Sequence, residues 1–395
     1  MDYLERAQII GHDVTRLKNG ETIRSTVLVD SLEKFKAIFA HDLTLDQRGK
    51  FSEQIGHLPW TLQFGSLPGA SMTRLINNVF GLGSLAMNDV AVATAIFPLR
   101  VTAVSGSTVT INTDEVFGPS SAPVAINAGT LIFNGGSITT LNTVITVSAD
   151  TLQINSGGSL PYHIGIKGVA GATGTAGATG STTPGQAQAG RKGNEGSPGV
   201  CTGSDSGGTG SGGATGGAGG TGLIGAQGLP SLPATITVKG FSQNTSFVVY
   251  TQSGAGGQGG PGGQGGAGQQ GGNGGDGCSS GCEGTSGGNG GQGGAGGAGG
   301  DGGPGGPGAP GLPINISFPQ AAQSFLVMTQ DLAPPGAGGQ AGAGGAPGGG
   351  GGSGSGGKHK SDGAGGSSGS SGAAGSAGKA GTVGGAPGNY NPTYT

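Results

Sequence analysis

Glycine occupies every third position in seven runs of the C-terminal part of the chain, at 165–180, 190–199, 207–228, 256–277, 281–311, 336–357 and 363–384. A polyproline II helix has three residues per turn, so glycine at this period leaves one edge of the helix free of side chains. The N–H and C=O groups of such a helix find no partner within it and must pair with neighbouring backbones or with water. The period therefore predicts extended segments that lie against one another.

Three structures are compatible with this period. Collagen places glycine at the crowded axis of three chains, but it favours imino acids at the other two positions. The central runs instead read GGQGGPGGQGGAGQQGGNGG, with two glycines in many triplets. A flexible Gly/Ser linker has no need of a strict phase. The pattern favours a polyglycine II bundle, with a collagen-like trimer and disorder as alternatives, and the tail 365–388 is the segment most compatible with disorder.

A longer repeat is superimposed on the glycine period. Leu-Pro precedes strand-like residues at Leu160, Leu232 and Leu312, and each is followed by glycine runs separated by a short breaker. We interpret each unit as a β-hairpin, a glycine run outward, a turn and a run back. The predicted modules are 159–231, 232–311 and 312–395.

The first 158 residues predict two further units. In residues 1–60, TIRSTVLVD alternates like a strand, and Ser31 is a candidate N-cap of a helix with Leu32, Phe35, Ile38 and Phe39 on one face. This unit is predicted to be a small α/β module for docking or assembly.

Residues 61–158 contain runs of Val, Ile and Thr that alternate around Ser105–Gly106, Asn134–Gly136 and Ala149–Asp150. This is the signature of β-hairpins, and it predicts an antiparallel sandwich or roll. The predicted fold class is therefore mainly β plus a polyglycine II helix bundle, with a small N-terminal α/β module.

Composition argues against several functional classes. The formal net charge is −3, and only 9% of the residues are charged, so nothing indicates a nucleic-acid partner. The sequence contains no apolar run long enough for membrane insertion. No hydrolase triad context, zinc-protease motif or phosphate-binding loop is present. We predict a protein that is not an enzyme and that needs no cofactor.

Two turns carry candidate site residues. Cys278 and Cys282 lie at a reversal between glycine runs, where a local disulfide is favoured over free thiols and over a metal ion, because no histidine or second cysteine pair is nearby. Lys358, His359 and Lys360 interrupt the last pair of runs. They are either a solvated polar turn or a contact point for an anionic surface glycan or a porin loop.

Two parts of the chain are similar to phage structural proteins. VSGSTVTIN (104–112) and VAINAGTLIFNGGSITTLNTVITVSADTLQI (124–154) resemble β segments common in such proteins. The C-terminal half resembles the glycine-rich, receptor-binding adhesins at the tips of T-even-like long tail fibres. In that family, loops at the far end of a polyglycine II bundle touch outer-membrane proteins. The resemblance implies candidate reversals at Thr182–Ala189, Ser204–Ser206, Cys278–Cys282 and Lys358–Asp362.

These observations predict a virion-surface attachment protein of a bacteriophage, such as a tail-fibre component. The alternatives are capsid decoration, a self-assembling extracellular filament, and an ice-binding protein, since period-three glycine runs also recur in small ice-binding proteins of arthropods. The expected partners are other virion proteins, through the N-terminal module, and a host surface protein or glycan. We also expect a homo-oligomer, with a trimer as one form. The predicted location is the virion surface, with an extracellular location as the alternative.

Overall fold

The first quarter of the chain contains the α-helices and the first strand, and the other strands follow them. The structure, a computed structural model, describes residues 1–58, 69–119, 121–196, 204–242, 245–279, 283–382 and 384–395. The helices are α1 (Tyr3–Ile10), α2 (Val14–Lys18), α3 (Leu32–Phe39), α4 (Leu45–Gly56), α5 (Gly69–Phe80) and α6 (Met87–Ile96). The strands are β1 (Ile23–Val29), β2 (Leu99–Ile111), β3 (Glu115–Phe117), β4 (Val124–Asn134), β5 (Ile138–Leu141), β6 (Ile145–Ser156), β7 (Ile164–Lys167), β8 (Ala234–Phe241), β9 (Phe247–Gln252), β10 (Ile314–Phe318), β11 (Leu326–Asp331) and β12 (Tyr390–Tyr394).

The strands form two sheets, and this arrangement overturns the predicted fold class. The larger sheet is mixed and has the order β1-β2-β4-β6-β8-β10-β12, and the smaller, parallel sheet has the order β11-β9-β7-β5-β3. β1 and β2 are antiparallel, whereas the pairs from β2 to β12 in the larger sheet are parallel. The chain has an α/β fold. The prediction of a mainly β protein with an antiparallel sandwich or roll, β-hairpin repeats and a polyglycine II bundle is wrong.

The hairpin prediction fails because, from β2 onward, consecutive strands enter different sheets. The chain winds around both sheets, and we call each winding a coil. Each coil contributes one strand to the larger sheet and the next strand to the smaller sheet. A strand therefore pairs with its counterpart in the following coil. Ser105–Gly106 and Ala149–Asp150, predicted to be turns, lie inside β2 and β6. Asn134–Gly135 does turn the chain, but it leads from the larger to the smaller sheet. Alternation of side chains is the same in parallel and antiparallel strands, so the pattern could not distinguish them.

The larger sheet is covered on both faces. Apolar side chains from both sheets fill the space between them, and they include Phe133, Ile164 and Phe247. The helices cover the opposite face, where Ala103 and Ala125 belong to the same cluster as the helical side chains. The predicted helix after Ser31 is confirmed as α3, with Ser31 Oγ accepting the Lys34 N–H and with Phe35, Ile38 and Phe39 buried.

Helix α4 connects the N-terminal helices to the last strands. Gln47 Nε2 donates to the carbonyl oxygens of Ile316 and Asn391, both at 3.2 Å. Gln54 Nε2 donates to Asn391 Oδ1 at 2.8 Å. Both ends of the chain therefore belong to one folded body, from which the glycine-rich insertions leave.

Three glycine-rich insertions leave this body between successive coils, after β7, β9 and β11. We call their extended parts the glycine array. Its outbound segments are 168–193, 254–277 and 336–357, and its returning segments are 207–229, 284–309 and 363–381. Apart from the four residues of two isolated β-bridges, the described residues of the array belong to no helix or strand.

Backbone hydrogen bonds join the segments of the array at every third residue. Outbound segments pair in parallel with outbound ones, as in Gly174 N–H to Gln258 C=O at 2.8 Å, and returning segments pair likewise. Outbound and returning segments pair in antiparallel fashion, as in Gly263 N–H to Gly220 C=O at 2.8 Å. The array therefore has two layers of three segments each. The stacking of successive coils in the two sheets sets the order of the segments within each layer.

Candidate functional site at the distal end of the glycine array

The array places its reversals together at the end farthest from the sheets. Parallel pairing keeps equivalent levels of the outbound segments side by side, from Gly171 N–H to Ala255 C=O near the sheets to Gly193 N–H to Asp276 C=O far from them. At about 3.1 Å per residue, the stretch 254–277 spans roughly 70 Å. We call the described residues 191–196, 204–206, 276–279, 283–286 and 355–363 the distal end.

One of the predicted reversals does not reverse the chain. Gly180 N–H bonds to Gln264 C=O, and Ala187 N–H bonds to Gln270 C=O, so the first outbound segment continues along the second through Thr182–Ala189. Gly185 has a φ of +77°, which glycine adopts without strain. The segment accommodates one extra residue there and continues outward.

Thr285 connects all three reversals at the distal end. Its Oγ1 donates to the carbonyl oxygen of Asp205 at 2.9 Å and accepts the N–H of Cys278 at 2.9 Å. Its backbone N–H donates to Cys278 C=O at 3.0 Å, and its carbonyl accepts from Gly357 at 2.9 Å. The side chain of Thr285 therefore joins the first and second reversals, and its backbone carbonyl joins them to the third.

Carboxylates also bind backbone N–H groups of this region. Asp276 Oδ1 accepts the N–H of Ser355 at 2.9 Å, and Asp362 Oδ1 accepts that of Gly356 at 2.7 Å. These two N–H groups therefore have carboxylate oxygens, and not backbone carbonyls, as their acceptors. The acidic residues have a structural role in addition to their charge.

Two ion pairs fix further charges at the distal end. Lys360 Nζ lies 2.7 Å from Glu283 Oε1, and this hydrogen-bonded pair lowers the pKa of Glu283. Arg191 lies 3.6 Å from Asp205 across the first reversal. Such exposed pairs contribute little to stability, so their main consequence is the orientation of the side chains.

The structure places the predicted contact turn Lys358, His359 and Lys360 at this end, and all three residues are exposed. His359 adopts a left-handed φ of 65°, and Gly284 N–H donates to Lys358 C=O at 2.9 Å. Lys360 is paired with Glu283, so the turn is less basic than its sequence indicates. Contact with a receptor stays a prediction.

The disulfide prediction concerns Cys278 and Cys282. Cys278 is buried beside Thr285, whereas Cys282 lies outside the described residues. The disulfide therefore stays a prediction as well. Within the described ranges, no group of three or more His, Cys, Asp or Glu side chains could hold a metal ion.

Sequence reasoning missed Thr285, Glu283 and Asp205. The available signal was their position, since each lies within a few residues of the start of a glycine run and carries a side chain that can form hydrogen bonds. What the pattern could not show is that residues such as Asp205 and Thr285, 80 positions apart, meet at one place.

Comparison with known proteins identifies no family for this chain. No protein-family model matches it, and no curated protein matches it. One solved structure that matches part of the chain is a springtail antifreeze protein from Granisotoma rainieri. That protein is described as a nine polyproline type II helical bundle whose crystal waters match the ice lattice. The match has 25% identity over 51% of this chain and 94% of the other chain, with a TM-score of 0.08, and it carries no structural argument. Among the described residues, no helix is long and apolar enough to cross a membrane.

Proposed function

We propose that this protein is a non-enzymatic virion structural protein, a tail-fibre or surface attachment component of a bacteriophage. In this proposal, the helices and sheets anchor the protein in the particle, and the glycine array presents its distal end to the host. Other virion proteins are the partners of the N-terminal helices, and a host surface protein or glycan is the partner of the distal end.

One observation carries this proposal: the three insertions run out and back together and gather their reversals about 70 Å from the sheets. The spacing rests on backbone hydrogen bonds along almost the whole length, so the array holds its end at a fixed distance. Bonded side chains then fix the shape of that end, as at Thr285 and Glu283. A rigid spacer with a defined end suits contact between a particle and a surface.

The proposed location on the virion surface is tested by immunogold electron microscopy of purified particles of the phage whose genome encodes this chain. One antibody is raised against a peptide of α4, and the other against residues 355–363. We expect the antibody against 355–363 to label intact particles, with gold at the outermost points of the fibre or surface structure. Purified particles that lack both labels would contradict a virion location.

The contact role is tested with two variants of the full-length protein on cells of the phage host. Lys358→Glu combined with His359→Ala alters the exposed turn, and Lys379→Glu, on the side of the third returning segment, is the matched charge control. We expect the turn variant to lose cell binding at least tenfold and the control to retain it. Equal binding by both variants would show that the exposed turn does not contact the host. If neither the variants nor the unaltered protein binds cells, capsid decoration or a filament role is favoured.

A further inference from the structure

A cleft of about 280 Å³ lies between the helices and one end of the larger sheet. Its floor consists of residues at or just before strand starts, namely Leu99 at β2, Pro123 before β4, Val144 before β6 and Leu232 before β8. Helices α3, α5 and α6 form its walls. The helical side chains that line it are Leu32, Phe35, Met72, Leu75, Ile76, Val79, Phe80, Ala93 and Ile96.

The lining is mostly apolar, and its polar members are Ser121, Asn142 and Thr143. Among the described residues around the cleft, none is Asp, Glu, Lys, Arg or His. A charged ligand would lose its hydration there without gaining an ion pair, which is costly in an apolar site. An uncharged apolar molecule gains free energy in proportion to the area that it buries.

One end of the cleft carries hydroxyl groups. Ser121 Oγ and Thr143 Oγ1 lie 3.3 Å apart, and Thr143 also donates to the carbonyl oxygen of Leu141 at 3.0 Å. Thr143 is buried and Ser121 is exposed, so the pair lies where the cleft meets solvent. This pair can exchange a hydrogen bond with a single polar group on a ligand.

We propose that this cleft binds a medium-chain aliphatic molecule with one uncharged polar end, such as an alcohol or an ester. Its volume is roughly twice that of a ~150 Å³ protein cavity that binds benzene, which corresponds to about ten to twelve non-hydrogen atoms. In this proposal, the aliphatic part of the ligand lies against α5 and α6, and its polar end reaches Ser121 and Thr143. The site does not involve the distal end of the array, so its test does not depend on contact with a host.

The test uses the full-length protein and the uncharged fluorophore N-phenyl-1-naphthylamine, with 1-decanol and decanoate as competitors. We expect saturable binding of one fluorophore per chain, displaced by 1-decanol. Decanoate at pH 7 should compete at least tenfold more weakly, because contact with the buried Thr143 hydroxyl removes water from its carboxylate and the described lining residues offer no ion pair in return. Absence of saturable binding, or equal competition by decanoate, would overturn the proposal.

Two alanines of α6 provide a matched pair of variants. Ala93 is buried in the wall of the cleft, whereas Ala91 is exposed. Ala93→Phe should weaken fluorophore binding at least tenfold, and Ala91→Phe should leave it unchanged. Met72→Phe fills the same cleft from α5 and replaces Ala93→Phe if circular dichroism shows that the latter is unfolded. Equal effects of the wall and control variants would contradict binding in this cleft.

Discussion

Close packing of the glycine array predicts that one methyl group at its centre disrupts it. In Gly263→Ala, the added Cβ would lie 1.9 Å from the carbonyl oxygen of Ala178, whereas ordinary contact begins at 3.4 Å. The two segments must therefore separate by about 1.5 Å. That shift stretches two hydrogen bonds between the segments well beyond hydrogen-bond length. They run from Gly177 N–H to Pro261 C=O (2.9 Å) and from Gly180 N–H to Gln264 C=O (2.7 Å).

The expected cost follows from these two bonds. Each backbone hydrogen bond contributes roughly 1 kcal/mol net, and an unsatisfied buried group costs about 1–3 kcal/mol, so we expect a loss of about 2–4 kcal/mol of local stability. Hydrogen exchange measured by mass spectrometry is the assay. Amides of 168–193, which include the donors Gly177 and Gly180, should exchange about 30- to 900-fold faster in the variant than in the unaltered protein.

Gly349→Ala is the matched control within the same array. The nearest atom to its added Cβ is Cγ of Gln270 at 4.0 Å, so the methyl group has room. Replacing this glycine should leave exchange unchanged or stabilise the segment by about 0.4–1 kcal/mol, through the lower entropy of the unfolded chain. If Gly263→Ala exchanges at the rate of the unaltered protein, the close approach of these backbones is refuted.

Three further predictions concern the folded body. Arg6→Met should destabilise the protein by about 1–3 kcal/mol in urea unfolding, because the buried acceptors Asn127 Oδ1 and Ala128 C=O lose their Arg6 donor. Asp150 contributes less to this cost, since it keeps its ion pair with Lys239 at 2.8 Å. The hydrogen bond from Arg74 lowers the pKa of Asp89 from 3.8 to about 2. The ionised Asp89 therefore stabilises the fold fully above about pH 4, and this stabilisation is lost as the pH falls towards 2. Asp89→Asn should flatten the pH dependence of the melting temperature in that window, and an unchanged profile would contradict a stabilising pair of Arg74 and Asp89. Gln47→Ala should cost about 1–3 kcal/mol and speed amide exchange in β12, since two buried carbonyls lose their donor. Unaltered exchange in β12 would show that Gln47 does not hold that strand.

Local signals predicted only local features of this chain. Ser31 and the apolar spacing after it identified α3, and the alternation of TIRSTVLVD identified β1. Period-three glycine predicted backbones that pair with neighbouring segments, and hydrogen bonds such as Gly174 to Gln258 have that period. None of these signals shows which strand or segment lies beside a given one, because side-chain alternation and side-chain-free helix edges are the same whichever neighbour is present.

The candidate site was predicted in part. Lys358, His359 and Lys360 were recognised as an exposed turn, because charged residues interrupted a glycine run. Glu283 and Thr285 were missed, since their roles depend on segments that are distant in sequence and meet only after the array has assembled.

The sequence by itself determined where this chain is extended and where glycine allows backbones to touch. The tertiary structure decided everything that depends on which strand lies beside which. Ser105–Gly106 resembles a turn in the sequence but lies inside β2, because the next coil supplies a parallel partner on that side. Register and direction are set by hydrogen bonds between distant residues and by the shared core of the two sheets, and a local pattern cannot encode these.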